Sequence, residues 1–156
     1  MAEQTLSVTS RQFADGGVLP MSAVHTSAGG ENRSPQLAWS PGPAGTRSYA
    51  LTCHDPDAPT GVGFSHWVRF NLPASVLELP EAVGAEPGID GLNDFGERGY
   101  DGPAPPPGPP HRYVFTVYAL DVDALEAGER TTYALLRFLV REHVLASGTL
   151  TGTFGR

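Results

Sequence analysis

The sequence predicts a mainly β fold, an antiparallel β-sandwich with one late α-helix, and three observations support this. Short stretches alternate between two faces, Gly and Pro punctuate the chain 19 and 15 times, and one stretch alone repeats apolar residues at helical spacing.

Residues 6–13 alternate weakly and read as an edge strand, followed by a Gly- and Ser-rich loop over 15–34. Over 48–54, Tyr49, Leu51 and Cys53 face one way and Ala50, Thr52 and His54 the other. The turn sequence Asp55-Pro56-Asp57-Ala58-Pro59-Thr60-Gly61 follows at once. Residues 66–72 form a second strand, with Val68, Phe70 and Leu72 expected on the core face, Trp67, Arg69 and Asn71 opposite, and Pro73 closing it. The stretch 73–100 has no sustained period. It leads into Pro103-Ala104-Pro105-Pro106-Pro107-Gly108-Pro109-Pro110, an extended polyproline-type segment. A strand begins immediately afterwards, which leaves no room for a domain boundary.

That strand, 112–121, sets Tyr113, Phe115, Val117 and Ala119 against Val114, Thr116, Tyr118 and Leu120, and is the clearest core strand. Leu135, Leu136, Leu139, Val140, His143 and Val144 then recur at helical spacing. A helix is expected over about 132–146, with Gly148 as its stop and a short final strand over 149–154.

A chain of 156 residues fits one domain, 1–156, with a core that needs no disulfide. The net charge is −7, and all ten basic residues are Arg. That balance excludes a broad nucleic-acid surface and a polybasic membrane anchor. Cys53 is the lone cysteine, so no intrachain disulfide or multi-Cys zinc site can form. With no signal-like start and no stretch of about 18 apolar residues, a cytoplasmic location without membrane insertion is expected.

Polar chemistry collects at three strand ends: His54, Asp55 and Asp57; His66; and His111, Arg112 and Tyr113. An imidazole donates to phosphate or carboxylate oxygen, and a nearby carboxylate strengthens its hold on a proton, so Asp55, His66 and His111 form an anion cradle. His111 and Tyr113 are two apart on a strand and face the same side, which lets the phenol join them. Beside this stand plainer readings: Asp55 as a turn cap, His143 as a hydrogen-bonded core histidine, Cys53 as a small buried hydrophobe. Metal binding by His54, Asp55, His66 and His111 is chemically open, but the spacing is not diagnostic. No nucleophile elbow, phosphate-binding Gly-Lys-Ser/Thr loop or His-Glu-x-x-His sequence occurs, and no cofactor or metal is expected.

Two long segments resemble the paired signatures of the phosphatidylethanolamine-binding (Raf kinase inhibitor-like) family. They are Asp55-Pro56-Asp57-Ala58-Pro59 with Gly63-Phe64-Ser65-His66-Trp67-Val68, and Gly102-Pro103-Ala104-Pro105-Pro106 leading to His111-Arg112-Tyr113. The likeness extends through Asn32-Arg33-Ser34-Pro35-Gln36-Leu37-Ala38-Trp39, Asn93-Asp94-Phe95-Gly96 and Gly152-Thr153-Phe154-Gly155-Arg156, and is nearest to the bacterial branch. It implies a two-sheet antiparallel sandwich with a small pocket for phosphate-like or carboxylate anions. The pocket residues it implies are Asp55, Ala58, Pro59, His66, Ala104, Pro106, His111 and Tyr113, with Phe64 at the rim. Ala104 stands where many bacterial relatives carry Cys, so no thiol role is expected there. Nor does the chain carry the C-terminal helix of mammalian members, so regulation through it is not expected.

The expectation is a binding or regulatory module for a small anion, such as a phospholipid headgroup or a phosphorylated partner, with no catalytic residues. A protein partner and a homodimer are both left open by the sequence. Two alternatives stand beside it: a hydrolase using Asp55 and His111 as an acid-base pair, and an inhibitor of a kinase or protease.

Overall fold

Two sheets, one α-helix and two 3-10 turns make up the regular structure of residues 4–156, which the computed structural model describes. In chain order these are β1 (Gln4–Thr5), β2 (Val8–Thr9), the 3-10 turns Met21–Ala23 and Thr26–Ala28, β3 (Leu37–Trp39), β4 (Ser48–Asp55) and β5 (Phe64–Pro73). β6 (Glu78–Leu79), β7 (Ile89–Asp90), β8 (His111–Leu120), α1 (Tyr133–Val140) and β9 (Val144–Phe154) follow. One sheet runs β1-β9-β8-β4-β5-β7 and the other β2-β3-β6. The strands pair antiparallel except β1, which lies parallel to β9.

β4 and the C-terminal half of β8 are buried on both faces, so each side of the large sheet has its own core. Tyr49, Leu51, Cys53, Tyr113, Phe115 and Val117 pack against Val8, Leu37, Trp39 and Leu79 of the small sheet. On the opposite side Ala50, Val68, Phe70, Tyr118 and Leu120 meet Leu136 and Val140 of α1. The alternation expected for β4 and β8 holds in both cores.

β5 departs from simple alternation at two places. Tyr49 pairs with Leu72 but Leu51 with Arg69, so β5 carries an extra residue near Asn71, which adopts φ 58°. The bulge turns Leu72 to the face of Trp67, and the expectation that Leu72 shares a face with Val68 and Phe70 is corrected. A second bulge lies between Cys53 opposite Trp67 and His54 opposite Ser65, and its extra residue is His66. Both faces of β5 are buried, and Arg69 is only 1% exposed. Its guanidinium donates to the carbonyls of Pro87 and Gly84 and pairs with Asp90 at 3.2 Å.

The N-terminal stretch 6–13 does not form one edge strand. The chain leaves the large sheet after Thr5 and enters the small sheet at Val8. The helix is shorter than its apolar period. Thr132 caps it through Leu135 N–H, but it ends at Val140, and the chain turns to put Val144 opposite Leu120. A ladder along all of β8 prevails over the helical pattern, and His143 becomes a half-buried turn residue bonded to Asp121 at 2.9 Å. Gly148 is not a helix stop. It lies within β9, where a Cβ would come within 2.1 Å of the Leu6 carbonyl oxygen.

Candidate functional site

A cavity of about 190 Å³ opens where the end of β4 and the starts of β5 and β8 meet. All nine residues singled out from the sequence line it: Asp55, Ala58, Pro59, Phe64, His66, Ala104, Pro106, His111 and Tyr113. Thr60, Phe95 and Pro105 complete the lining.

Asp55 ends β4 with its carboxylate buried. Oδ1 accepts the Asp57 N–H at 2.8 Å and Oδ2 accepts His111 Nδ1–H at 2.7 Å. Asp55 is thus both the cap of its own turn and the partner of His111. His66 is held differently. Its Nδ1 donates to the Asp101 carbonyl at 2.7 Å, and the Asp101 N–H returns to the His66 carbonyl at 3.1 Å. Burial pushes the His66 pKa below its ordinary value. The Asp101 carbonyl bond and the carboxylates of Asp55, Asp101 and Asp94 oppose that shift.

Tyr113 stands two residues along from His111 and meets the His66 ring edge to face at 5.2 Å. Its hydroxyl is buried and has no hydrogen-bond partner in the protein. Burial, and then the charge of Asp55, push the phenol pKa up, so it stays a neutral donor. His66 reaches this side only through its bulge. Strict alternation from Val68 would have aimed it toward α1.

Behind the wall, Asp101 is fixed by two amides. Asn32 Nδ2 and Asn93 Nδ2 each donate to its carboxylate at 2.8 Å. Asn32 Oδ1 accepts Gly102 N–H, and Asn93 Oδ1 accepts the Phe95 N–H. Asp94 Oδ2 accepts the Ser65 N–H at 2.7 Å. These residues therefore set the positions of His66 and Phe95. Phe95 closes the rim, stacked on His25 at 5.0 Å and edge-on to Phe64 at 4.9 Å.

Comparison with known proteins agrees with this arrangement: the family model described as phosphatidylethanolamine-binding protein matches residues 9–155. The chain belongs to the phosphatidylethanolamine-binding protein family. Among relatives of that family, the UPF0098 protein YbhB of Escherichia coli is 46% identical over 96% of this chain and 99% of its own length. YbcL of the same organism is 38% identical over 94% of this chain and 86% of its own length. The YbcL crystal structure superposes with a TM-score of 0.92, at 37% identity, over 97% of this chain and 98% of that one. A Chlamydia trachomatis homologue gives a TM-score of 0.87, at 34% identity, over 99% of each chain.

Three polar residues from the strand ends lie outside the cavity. His54 points to the other face of β4, where it stacks on Tyr133 at 4.5 Å and its Nε2 lies 3.1 Å from the Val62 carbonyl. Asp57 and Arg112 form an outward pair at 2.9 Å, which holds the Asp57 carboxyl down to about 2. Cys53 is buried beneath the cavity, and burial pushes its thiol pKa well up. Among the described residues no group of three or more His, Cys, Asp or Glu is placed to hold a metal ion. Among the described residues no helix is long and apolar enough to cross a membrane. Three lining residues are not among those the sequence singles out: Phe95 within Asn93-Asp94-Phe95-Gly96, Thr60 in the turn after β4, and Pro105 between Ala104 and Pro106.

Proposed function

We propose that this member of the family is a binding module, not an enzyme, whose cavity takes a small phosphate-like or carboxylate anion. The observation that carries the reading is the Tyr113 hydroxyl, buried without a protein partner beside His66 and His111. A buried unpaired hydroxyl costs about 1–3 kcal/mol, which an incoming ligand oxygen relieves. At about 190 Å³ the cavity is below the roughly 300–1,000 Å³ usual for drug-sized ligands, so it suits a headgroup rather than a whole lipid. A phosphorylated protein offers the same group, which is how the site would serve regulation in the cytoplasm.

Phosphate should raise the melting temperature, because a ligand selective for the folded state stabilises it by mass action. His66→Ala and His111→Ala should abolish the gain. An unchanged gain in both variants would place the anion elsewhere.

The Asp55–His111 pair is the one observation that favours a hydrolase. Apart from Tyr113, the only hydroxyl in the lining is Thr60, and its Oγ1 donates to the Gly63 carbonyl, so water would have to be the nucleophile. A reproducible turnover of a phosphoester or acyl substrate that disappears in Asp55→Asn would replace the binding module with an enzyme.

A further inference from the structure

Among the described residues, the cavity proposed to take an anion has no fixed positive charge in its lining. Its twelve lining residues include Asp55 and no Arg or Lys. Anion sites ordinarily offer guanidinium groups or rows of backbone N–H, and three of these residues are prolines, which have no N–H. The guanidinium groups nearby are engaged outside it. Arg112 pairs with Asp57 at 2.9 Å, and Arg156 Nε donates to the Pro105 carbonyl at 2.8 Å.

Both imidazoles present an acceptor to the cavity when neutral. His66 Nδ1 lies 2.7 Å from a carbonyl oxygen and His111 Nδ1 lies 2.7 Å from a carboxylate oxygen. Neither oxygen carries a hydrogen, so each Nδ1 is the donor and each Nε2 keeps a bare lone pair. An oxyanion with no hydrogen would meet two lone pairs and the charge of Asp55, with the Tyr113 O–H as its sole side-chain donor there.

We propose that the cavity binds its oxyanion together with one proton, and that its ligand class is a phosphate monoester rather than a phosphodiester. The inference rests on the anion-binding reading of the same cavity. A monoester can keep a P–OH, which donates to one bare Nε2 while another of its oxygens accepts from Tyr113. Only hydrogen bonds form, and the proton comes from solvent onto the bound ligand or onto one ring. A diester has no such hydrogen and must wait for a protonated ring, a form that burial disfavours at His66.

The groups around the two rings set the balance. Asp55 faces them from the end of β4, Asp94 and Asp101 from the loop after β7, Tyr113 from β8 and Arg156 from the C-terminal end, while Asp57 and Arg112 are paired to each other outside the cavity beside His111. His25 lies behind Asp101, with Nε2 at 3.9 Å from its carboxylate. At His66 the carboxylates of Asp55, Asp101 and Asp94 favour the proton that burial disfavours.

Calorimetric titration of the chain with methyl phosphate, in buffers of different ionisation enthalpy, counts the protons. A phosphate monoester has its second pKa near 6. Between pH 7 and 8.5 we expect close to one proton taken up per methyl phosphate bound, and an affinity that falls about tenfold per pH unit. Dimethyl phosphate should bind more weakly throughout that range. Binding of methyl phosphate with constant affinity and no proton uptake overturns the inference and leaves the anion-binding function standing, as does tighter binding of dimethyl phosphate. No binding of either ester, or of inorganic phosphate, overturns both. Nitrogen NMR of the ring atoms locates the effect: the free protein at pH 8.5 should carry hydrogen on Nδ1 of His66 and His111. Hydrogen on Nε2 of both rings overturns the inference.

Discussion

Asp55 Oδ2 accepts the Nδ1–H of His111 at 2.7 Å, across 56 positions of sequence, while Oδ1 of the same carboxylate caps Asp57. One side chain thus ties the turn after β4 to the first residue of β8 and fixes which nitrogen of His111 faces the cavity.

Asp55→Asn changes that choice. The amide oxygen can still accept from Asp57, which leaves the NH₂ facing His111 Nδ1 and moves the ring hydrogen to Nε2. A donor then points into the cavity without proton uptake. The phosphate-induced rise in melting temperature, compared at pH 6.5 and 8.5, should vary less in the variant than in the wild-type protein. An unaltered dependence would place the proton elsewhere than on His111 or its ligand.

Tyr113→Phe separates stability from binding. Its hydroxyl is buried without a partner, so its removal should leave the ligand-free protein as stable or up to about 1 kcal/mol more stable in urea denaturation. The same change should weaken phosphate about tenfold, the loss of one hydrogen bond. A destabilised protein with intact phosphate affinity would make the phenol a structural group.

Arg69→Met removes a guanidinium that is 1% exposed and bonded to Pro87, Gly84 and Asp90. Breaking such a buried set should cost about 3 kcal/mol. For a chain of this size calorimetry should register a melting temperature lower by roughly 10 °C.

The Asp57–Arg112 pair governs part of the acid limb. Its folded-state pKa lies near 2, below the ordinary 3.8, so its stabilisation is complete above about pH 4 and is lost as the pH falls toward 2. Asp57→Asn should flatten the loss of stability across that window. At pH 7 the cost should stay near 1 kcal/mol or less, because Arg112 is 59% exposed. Equilibrium denaturation from pH 2 to 7 checks both.

Tyr113 and His111 could be read onto one face because β8 is a regular strand with paired neighbours on both sides. His66 could not, because the residue that bulges does so to match the β4 register, and nothing in Ser65-His66-Trp67 encodes the slip. The motif likeness put His66 in the pocket where periodicity alone would have put it under α1. Asn71 hid the other slip in the same way, by adopting φ 58° in an apolar run. β6 and β7 have two residues each, too few to show a period, and they left 73–100 looking structureless. The helix was overextended because Val144 fits the apolar stripe of α1 as well as the ladder of β9, and only the partner strand decides between them. The role of Asp101 depends on Asn32 and Asn93, far apart in the chain, and only the folded structure joins them.

The strand order of the large sheet bears on what this protein does at high concentration. Its two outermost strands, β1 and β7, are two residues long, while the eleven-residue β9 lies one place in from the edge. Where β1 stops short, the chain around Gly16 to Leu19 takes over, with Gly16 and Leu19 donating to Thr151 and Thr153 and Thr153 donating back to Gly17. Among the described residues little unpaired backbone is left along either margin of this sheet to recruit a strand from another molecule. Self-association by continuing the large sheet is therefore disfavoured while the protein stays folded.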